Sequence, residues 1–402
     1  MRSVSPSGID LSTLGKESRE ASAALGGILA DAISAAGGVL PFESYMEIVL
    51  YTPDFGYYAR AHDVFGSTGG GDRGDFVTAP ELSPVFSRCV ATQVASVLAD
   101  TGGDVAEFGA GTGRMAFDLL SALPERYWPR HYWIVEKSAS LSDQQKQTLQ
   151  ALPQSLRERV RWTQQLPSMS GVVLANELLD ALAVQRFIVT DDGPRPLGVV
   201  AKEGQFTWHP MPADPELSEW YENLVPGLDA PLTVGYVSER CRSLSVQLEL
   251  MSQSLQRGLM LLFDYGYPRH EYYHRERGDG TLLCHFQQRA HGDPFFLPGL
   301  QDITASVDFT AVAESARNLG LSVNGYTTQA WFLMGCGLDT ELARLSELDE
   351  AVAISALQAA KRLVLPGEMG ERIQVMALGR EYDQLPLGMQ LRDQRNRLGV
   401  LA

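Results

Sequence analysis

Three alternating glycines in Glu107-Phe108-Gly109-Ala110-Gly111-Thr112-Gly113 follow a carboxylate at the end of a short apolar run. Glycines at that spacing let a chain turn sharply where a strand ends, and they let a ligand approach bare backbone. A second acid, Glu136, closes the run Trp133-Ile134-Val135 and lies 27 positions after Gly109. An acid at a second strand end is placed to accept ribose hydroxyls. A third group, Asn176-Glu177-Leu178-Leu179-Asp180-Ala181, follows another apolar run and offers an amide and two carboxylates. Asn176 can orient a nitrogen, while Glu177 and Asp180 can hold a cation and take up its proton. Asp264 and Tyr265 stand at the end of one further run, with Tyr265 placed to line a reaction channel.

The loop discriminates between ligands. A dinucleotide site of the G-x-G-x-x-G kind wants its third glycine at position 114, which is Arg, and it rarely sets a carboxylate against a pyrophosphate. S-adenosylmethionine has no phosphate and carries a sulfonium, an ammonium and a carboxylate. Glu107 complements the cationic part, directly or through water, and the amides of Gly109, Ala110, Gly111 and Gly113 can receive the carboxylate. Glu136, with Lys137 beside it, then serves the ribose. At the third strand end Trp162-Thr163-Gln164-Gln165 has no Asp for the adenine amino group, so Gln164 or a backbone carbonyl must take it. A methyltransferase that draws its acceptor to Asn176, Glu177, Asp180 and Tyr265 follows. A nicotinamide-dependent oxidoreductase stands as the alternative.

Composition narrows the partners. A net charge of −16 argues against general binding to nucleic-acid backbones or anionic membranes and fits a cationic acceptor. No uninterrupted apolar stretch approaches the roughly 20 residues of a membrane span. Cys89, Cys241, Cys284 and Cys336 are far apart and form no CxxC pair, which suits a reducing compartment, with the cytoplasm as the default. The sequence His270-Glu271-Tyr272-Tyr273-His274 is a literal H-E-x-x-H, but Pro268 before it and Gly278 and Gly280 after it break the helix that a zinc site needs. No metal is expected.

These residues need a scaffold. From Asp104 onward short apolar strands alternate with helices, the pattern of βαβ units and a mainly parallel α/β sheet of Rossmann-like type. Strands are expected near 104–108, 132–136, 158–162, 171–175 and 258–264, with helices clearest at 114–123 and 138–152. A last strand over 372–378, after the turn Pro366-Gly367-Glu368-Met369-Gly370, fits an antiparallel insertion into the sheet. Residues 1–100 read as a disordered lead-in, helices over about 17–36, 41–51 and 84–99, and a cofactor-covering loop. Residues 101–402 read as the core, interrupted by an antiparallel flap at about 186–238 and a long loop segment at about 267–310.

At these residues the chain resembles the MidA family of class I methyltransferases, which is related to a mitochondrial complex I assembly factor that methylates an arginine of a complex I subunit. The resemblance spans most of the chain. It rests on Pro41-Phe42 through Gly56-Tyr57-Tyr58, Gly74 through Glu81, the glycine loop, Asn176 through Ala181, Asp264 through Tyr267, Gly280-Thr281-Leu282, Asp302-Ile303-Thr304-Ala305 with Val307-Asp308-Phe309, and Pro366 through Glu371. It implies an S-adenosylmethionine-dependent enzyme acting on a protein arginine of a respiratory-complex subunit or its bacterial counterpart. A non-catalytic assembly factor that keeps the cofactor pocket is the other reading. It also implies that the loop from Gly74 to Glu81, with Asp75, Thr78 and Pro80, helps close the pocket. Two departures stand out: Ser306 occupies a position where the family pattern has His, and the stretch from Gly66 to Gly71 lengthens the preceding loop.

Overall fold

The computed structural model describes residues 14–60 and 77–399. Asp75, the glycine-rich stretch 66–74 and the lead-in therefore lie outside the described residues. The chain divides into two compact units. The larger is drawn from residues 77–180, 244–268 and 307–399, the other from 14–60, 181–243 and 269–306.

The larger unit is built on one sheet. Its main strands are β1 (Asp104–Phe108), β2 (Tyr132–Val135), β3 (Val160–Thr163), β4 (Met169–Asn176), β5 (Leu255–Tyr267), β6 (Ser322–Thr328) and β7 (Ile373–Arg380), in the spatial order β3-β2-β1-β4-β5-β7-β6. Strands β1 to β5 run parallel to one another. The last, β7, lies antiparallel between β5 and β6. Residues 105–108 of β1 and 171–175 of β4 are buried throughout, because a parallel sheet covered on both faces takes continuous apolar runs and not alternation. Strand β6 was not legible as a strand, for Asn324-Gly325 reads as a turn signal; here the pair marks a register shift, and the Asn324 amide donates to the carbonyls of Tyr382 and Gln384 at 2.6 and 3.2 Å.

Helices cover this sheet. Pro84–Thr101 begins with Ser83 as its cap and Pro at the first helical position, and it packs Phe86, Val90, Val94 and Val97 into the core. Arg114–Ala122 leaves the glycine loop with Met115, Ala116, Leu119 and Leu120 inward. Ala139–Leu149 starts at Ser138, whose hydroxyl accepts from the Leu141 N–H at 3.3 Å. Helices not assigned from the sequence, among them Leu244–Ser252, Phe309–Asn318, Gln329–Gly335, Leu338–Leu345 and Glu350–Val364, complete the cover.

The second unit has its own core, in which Leu25, Leu29 and Ile33 of the helix Lys16–Ala35 pack with Phe42, Tyr45 and Val49 of Phe42–Tyr51. The expected flap forms from antiparallel strands Gln185–Thr190, Gly193–Lys202 and Gln205–Pro210, joined to Val237–Arg240. The segment expected as long loop differs: it carries a three-stranded antiparallel sheet of Leu283–Phe286, Arg289–His291 and Asp302–Thr304. Its hairpin turns on Gln287 and Gln288, both with positive φ, and two glutamines give no Asn-Gly or Asp-Gly signal to read. Around His270 the helix is only the four residues Arg269–Tyr272, so His274 falls outside it.

Candidate active site

Parallel strands place their carboxyl ends on one edge of the sheet, and four of the sequence-predicted groups arrive there on β1, β2, β4 and β5. After β1 the chain turns through Gly109, Gly111 and Gly113, all with positive φ. At Gly109 a side chain is disfavoured twice over: φ is +67°, and a Cβ would come 3.0 Å from the tip of the Leu178 side chain. The loop closes on itself by Gly113 N–H donating to the Ala110 carbonyl at 2.7 Å, so this amide, expected to face a carboxylate, is used within the loop.

Glu107 sits beneath this loop. Its carboxyl is 2% exposed and accepts the Tyr132 hydroxyl at 2.6 Å. Burial raises its pKa to about 7, against the opposing pull of that hydrogen bond. Glu136 lies at the end of β2, half-buried: Oε1 accepts from the N–H groups of Lys137 and Ser138 at 2.9 and 2.8 Å, and Oε2 from Gln145 Nε2 at 3.0 Å. Lys137 is exposed. At the β3 end Gln164 is exposed, while the Thr163 hydroxyl donates to the Gln165 carbonyl at 2.6 Å.

The end of β4 is the most constrained point. Glu177 has φ +50°, a left-handed conformation that a non-glycine residue adopts only where its surroundings demand it. Its N–H donates to the Phe263 carbonyl at 2.7 Å, and its Oε1 accepts from Asn176 Nδ2 at 3.0 Å and Ala79 N–H at 3.2 Å. The turn that follows is clamped by Asp264, a carboxylate 1% exposed, whose Oδ2 accepts from Leu178 and Leu179 N–H at 3.1 and 2.8 Å and whose Oδ1 accepts from Tyr265 N–H at 2.9 Å. Burial still raises Asp264 to about 7. Asp180 is buried, and Tyr265 beside it is half-buried. Burial, then the charges of Glu177, Asp180 and Asp264, pushes the Tyr265 phenol up, so it stays protonated.

The segment carrying Thr78 and Pro80 forms the short helix Ala79–Leu82, with Pro80 buried. It is tied at one end by Ala79 N–H to Glu177 and at the other by Glu81, which accepts from the Thr112 hydroxyl of the glycine loop. Sequence reasoning did not find Gln145, Tyr132 or this Glu81–Thr112 link. A lone glutamine in a polar helix carries no signal, and a tyrosine inside a strand reads as core.

Three features test whether these residues fit S-adenosylmethionine. The Asn176 Oδ1 is buried and finds no donor among the described residues, so an ammonium or amide N–H would satisfy it. The glycine loop carries no side chain at Gly109, Gly111 and Gly113, all with positive φ, and so offers bare backbone. An acceptor, a bare loop and a fixed acid at the β2 end match the groups of that ligand.

The strand order, the antiparallel β7 and the glycine loop after β1 define a Rossmann-like S-adenosylmethionine-dependent methyltransferase. Residues 89–327 match the family described as "Putative S-adenosyl-L-methionine-dependent methyltransferase", and the chain belongs to it. It is 39% identical, with a TM-score of 0.88 over 96% of this chain and 99% of the other, to a Burkholderia thailandensis protein whose crystal structure is bound to S-adenosyl-homocysteine. Among curated proteins it is 28% identical to the Drosophila melanogaster "Protein arginine methyltransferase NDUFAF7 homolog, mitochondrial", over 85% of this chain and 82% of that protein. The Homo sapiens "Protein arginine methyltransferase NDUFAF7, mitochondrial" is also 28% identical, over 85% and 80%.

Proposed function

We propose that the protein is a protein arginine N-methyltransferase that uses S-adenosylmethionine and acts on a respiratory complex I type subunit or its bacterial counterpart. The observation that carries the proposal is the tip of β4, where Asn176 keeps a buried oxygen in want of a donor beside the anchored carboxylate of Glu177, whose backbone is held at φ +50°. The names of the curated relatives support arginine as the acceptor.

The geometry supports the following roles. Asn176 and the loop from Gly109 to Gly113 hold the methionine part, Glu136 the ribose, and Thr78 and Pro80 belong to the segment that covers them. Asp75 is assigned to the same cover from the family resemblance alone. When bound, S-adenosylmethionine supplies an electrophilic methyl group. The chain orients the guanidinium with Glu177 and Asp180, whose negative charge favours the cation and receives its proton, and Tyr265 donates a hydrogen bond that fixes the acceptor. Glu107, at the end of β1 and held by Tyr132, supplies a negative charge next to the loop in its ionised form. The cytoplasm is the compartment proposed.

Methyl-labelled S-adenosylmethionine, incubated with the purified chain and a lysate of cells lacking it, is expected to label a protein on arginine when the label is mapped by mass spectrometry. Label on lysine, on small molecules only, or on nothing contradicts the proposal.

A further inference from the structure

Gln145 is fully buried on the helix Ala139–Leu149, although a position facing a core would ordinarily be apolar. Each hydrogen-bonding group of its amide has a partner. Nε2 donates to the Gly111 carbonyl and to Glu136 Oε2, both at 3.0 Å, and Oε1 accepts from the Trp162 indole N–H, also at 3.0 Å. The orientation is fixed by this set. Turned over, the amide would set its oxygen against a carbonyl and a carboxylate and its NH2 against the indole N–H.

One side chain therefore joins the glycine loop after β1, the acid after β2 and the end of β3. The contact is close in the backbone as well, since a Cβ on Gly113 would come 3.2 Å from the Gln145 Cα. One turn later the Thr148 hydroxyl donates to the Thr112 carbonyl at 2.7 Å, so the helix grips the loop twice. Glu136 has two oxygens with about four acceptor directions. Lys137 N–H, Ser138 N–H and Gln145 fill three of them, which leaves one on Oε2 for a hydroxyl.

We propose that Gln145 is a positioning residue for the cofactor: it sets the Glu136 carboxylate and the glycine loop in one register, and Trp162 locks it in that orientation. The proposal rests on Glu136 holding the ribose. Gln145 touches no cofactor atom in this scheme; it acts through Glu136 and Gly111.

The test is calorimetric titration with S-adenosylhomocysteine and with its 2′,3′-dideoxy analogue, alongside thermal melting. The wild type is expected to prefer the natural ligand. Gln145→Met, which keeps volume and loses all three bonds, is expected to bind S-adenosylhomocysteine about tenfold more weakly and to lose most of that preference. In steady-state assays KM for S-adenosylmethionine rises and kcat holds. Trp162→Phe is expected to move the same quantities less, and it carries the test if Gln145→Met does not fold. A folded Gln145→Met, or in its place a folded Trp162→Phe, with wild-type affinity and undiminished preference overturns the proposal. A wild type that binds both ligands equally, with Glu136→Ala no weaker, overturns the ribose role of Glu136 and the proposal together. A purely structural glutamine would lower the melting temperature and leave the preference between the two ligands unchanged, which also overturns it.

Discussion

At Asp264 a carboxylate is buried to serve the backbone, and its function is to shape a turn. Its oxygens take the N–H groups of Leu178, Leu179 and Tyr265, and the turn so held carries Glu177 at φ +50° and Asp180. Asp264→Asn replaces one acceptor oxygen with an NH2 facing N–H donors. It is expected to cost about 1–3 kcal/mol in urea unfolding and to lower kcat, since the acceptor groups lose their alignment. Unchanged stability would mean that the turn holds without the clamp. Glu107 makes a different prediction. Its pKa lies at about 7 in the folded state, above the ordinary 4.5, so its protonation favours folding. That contribution is fully present below pH 4.5 and is lost as pH rises through about 7. Glu107→Gln keeps an acceptor for Tyr132 and has no proton to lose. Its melting temperature is expected to fall less than the wild type's between about pH 5 and 8, while its affinity for S-adenosylhomocysteine drops through the lost charge. At this scale Glu107, Glu136, Asn176 and Glu177 were legible because their types and their places at strand ends are unusual. Gln145 was not, because its importance lies in three partners from distant parts of the chain.

Elements set the precision with which those residues meet. Strands β1 and β4 approach so closely that a Cβ at Gly171, where φ is +130°, would stand 2.0 Å from the Asp104 carbonyl oxygen. Gly171→Ala is therefore expected to cost about 3 kcal/mol or more, measured by urea unfolding, and a near-neutral result would show that the two strands can part. Gly109→Ala meets only the tip of Leu178, which can move. It is expected to leave the fold standing at a cost of about 1 kcal/mol and to weaken S-adenosylhomocysteine binding about tenfold, since the loop backbone must shift to relieve the positive φ and clear Leu178. The parallel strands were legible because two-sided burial writes continuous apolar runs. Strand β6 and the Leu283–His291 hairpin were hidden by residues that break the usual rules: Asn324-Gly325 inside a buried strand, and Gln287-Gln288 in a turn that glycine usually makes. At Asn324 the carbonyls of Tyr382 and Gln384 satisfy what the local sequence leaves open.

For the whole molecule, the charge of −16 and the acids at the strand ends favour a cationic acceptor, and arginine is the proposed one. Because steering by exposed charge is screened by salt, KM for a protein acceptor is expected to rise as ionic strength increases, while the affinity for S-adenosylhomocysteine, held by short contacts, changes little. The class of enzyme was legible from the glycine loop and the spacing of Glu136. The acceptor was not, since two carboxylates at a strand end fit any cation. Every one of these assignments depends on the mouth formed by the ends of β1, β2 and β4 being the cofactor site. Titration of the purified wild type and of Asn176→Ala with S-adenosylhomocysteine in a calorimeter tests that dependence directly. The account predicts saturable binding at one site per chain in the wild type and affinity at least about tenfold lower in Asn176→Ala. Wild-type affinity in that variant, or no saturable binding by the wild type, would contradict it.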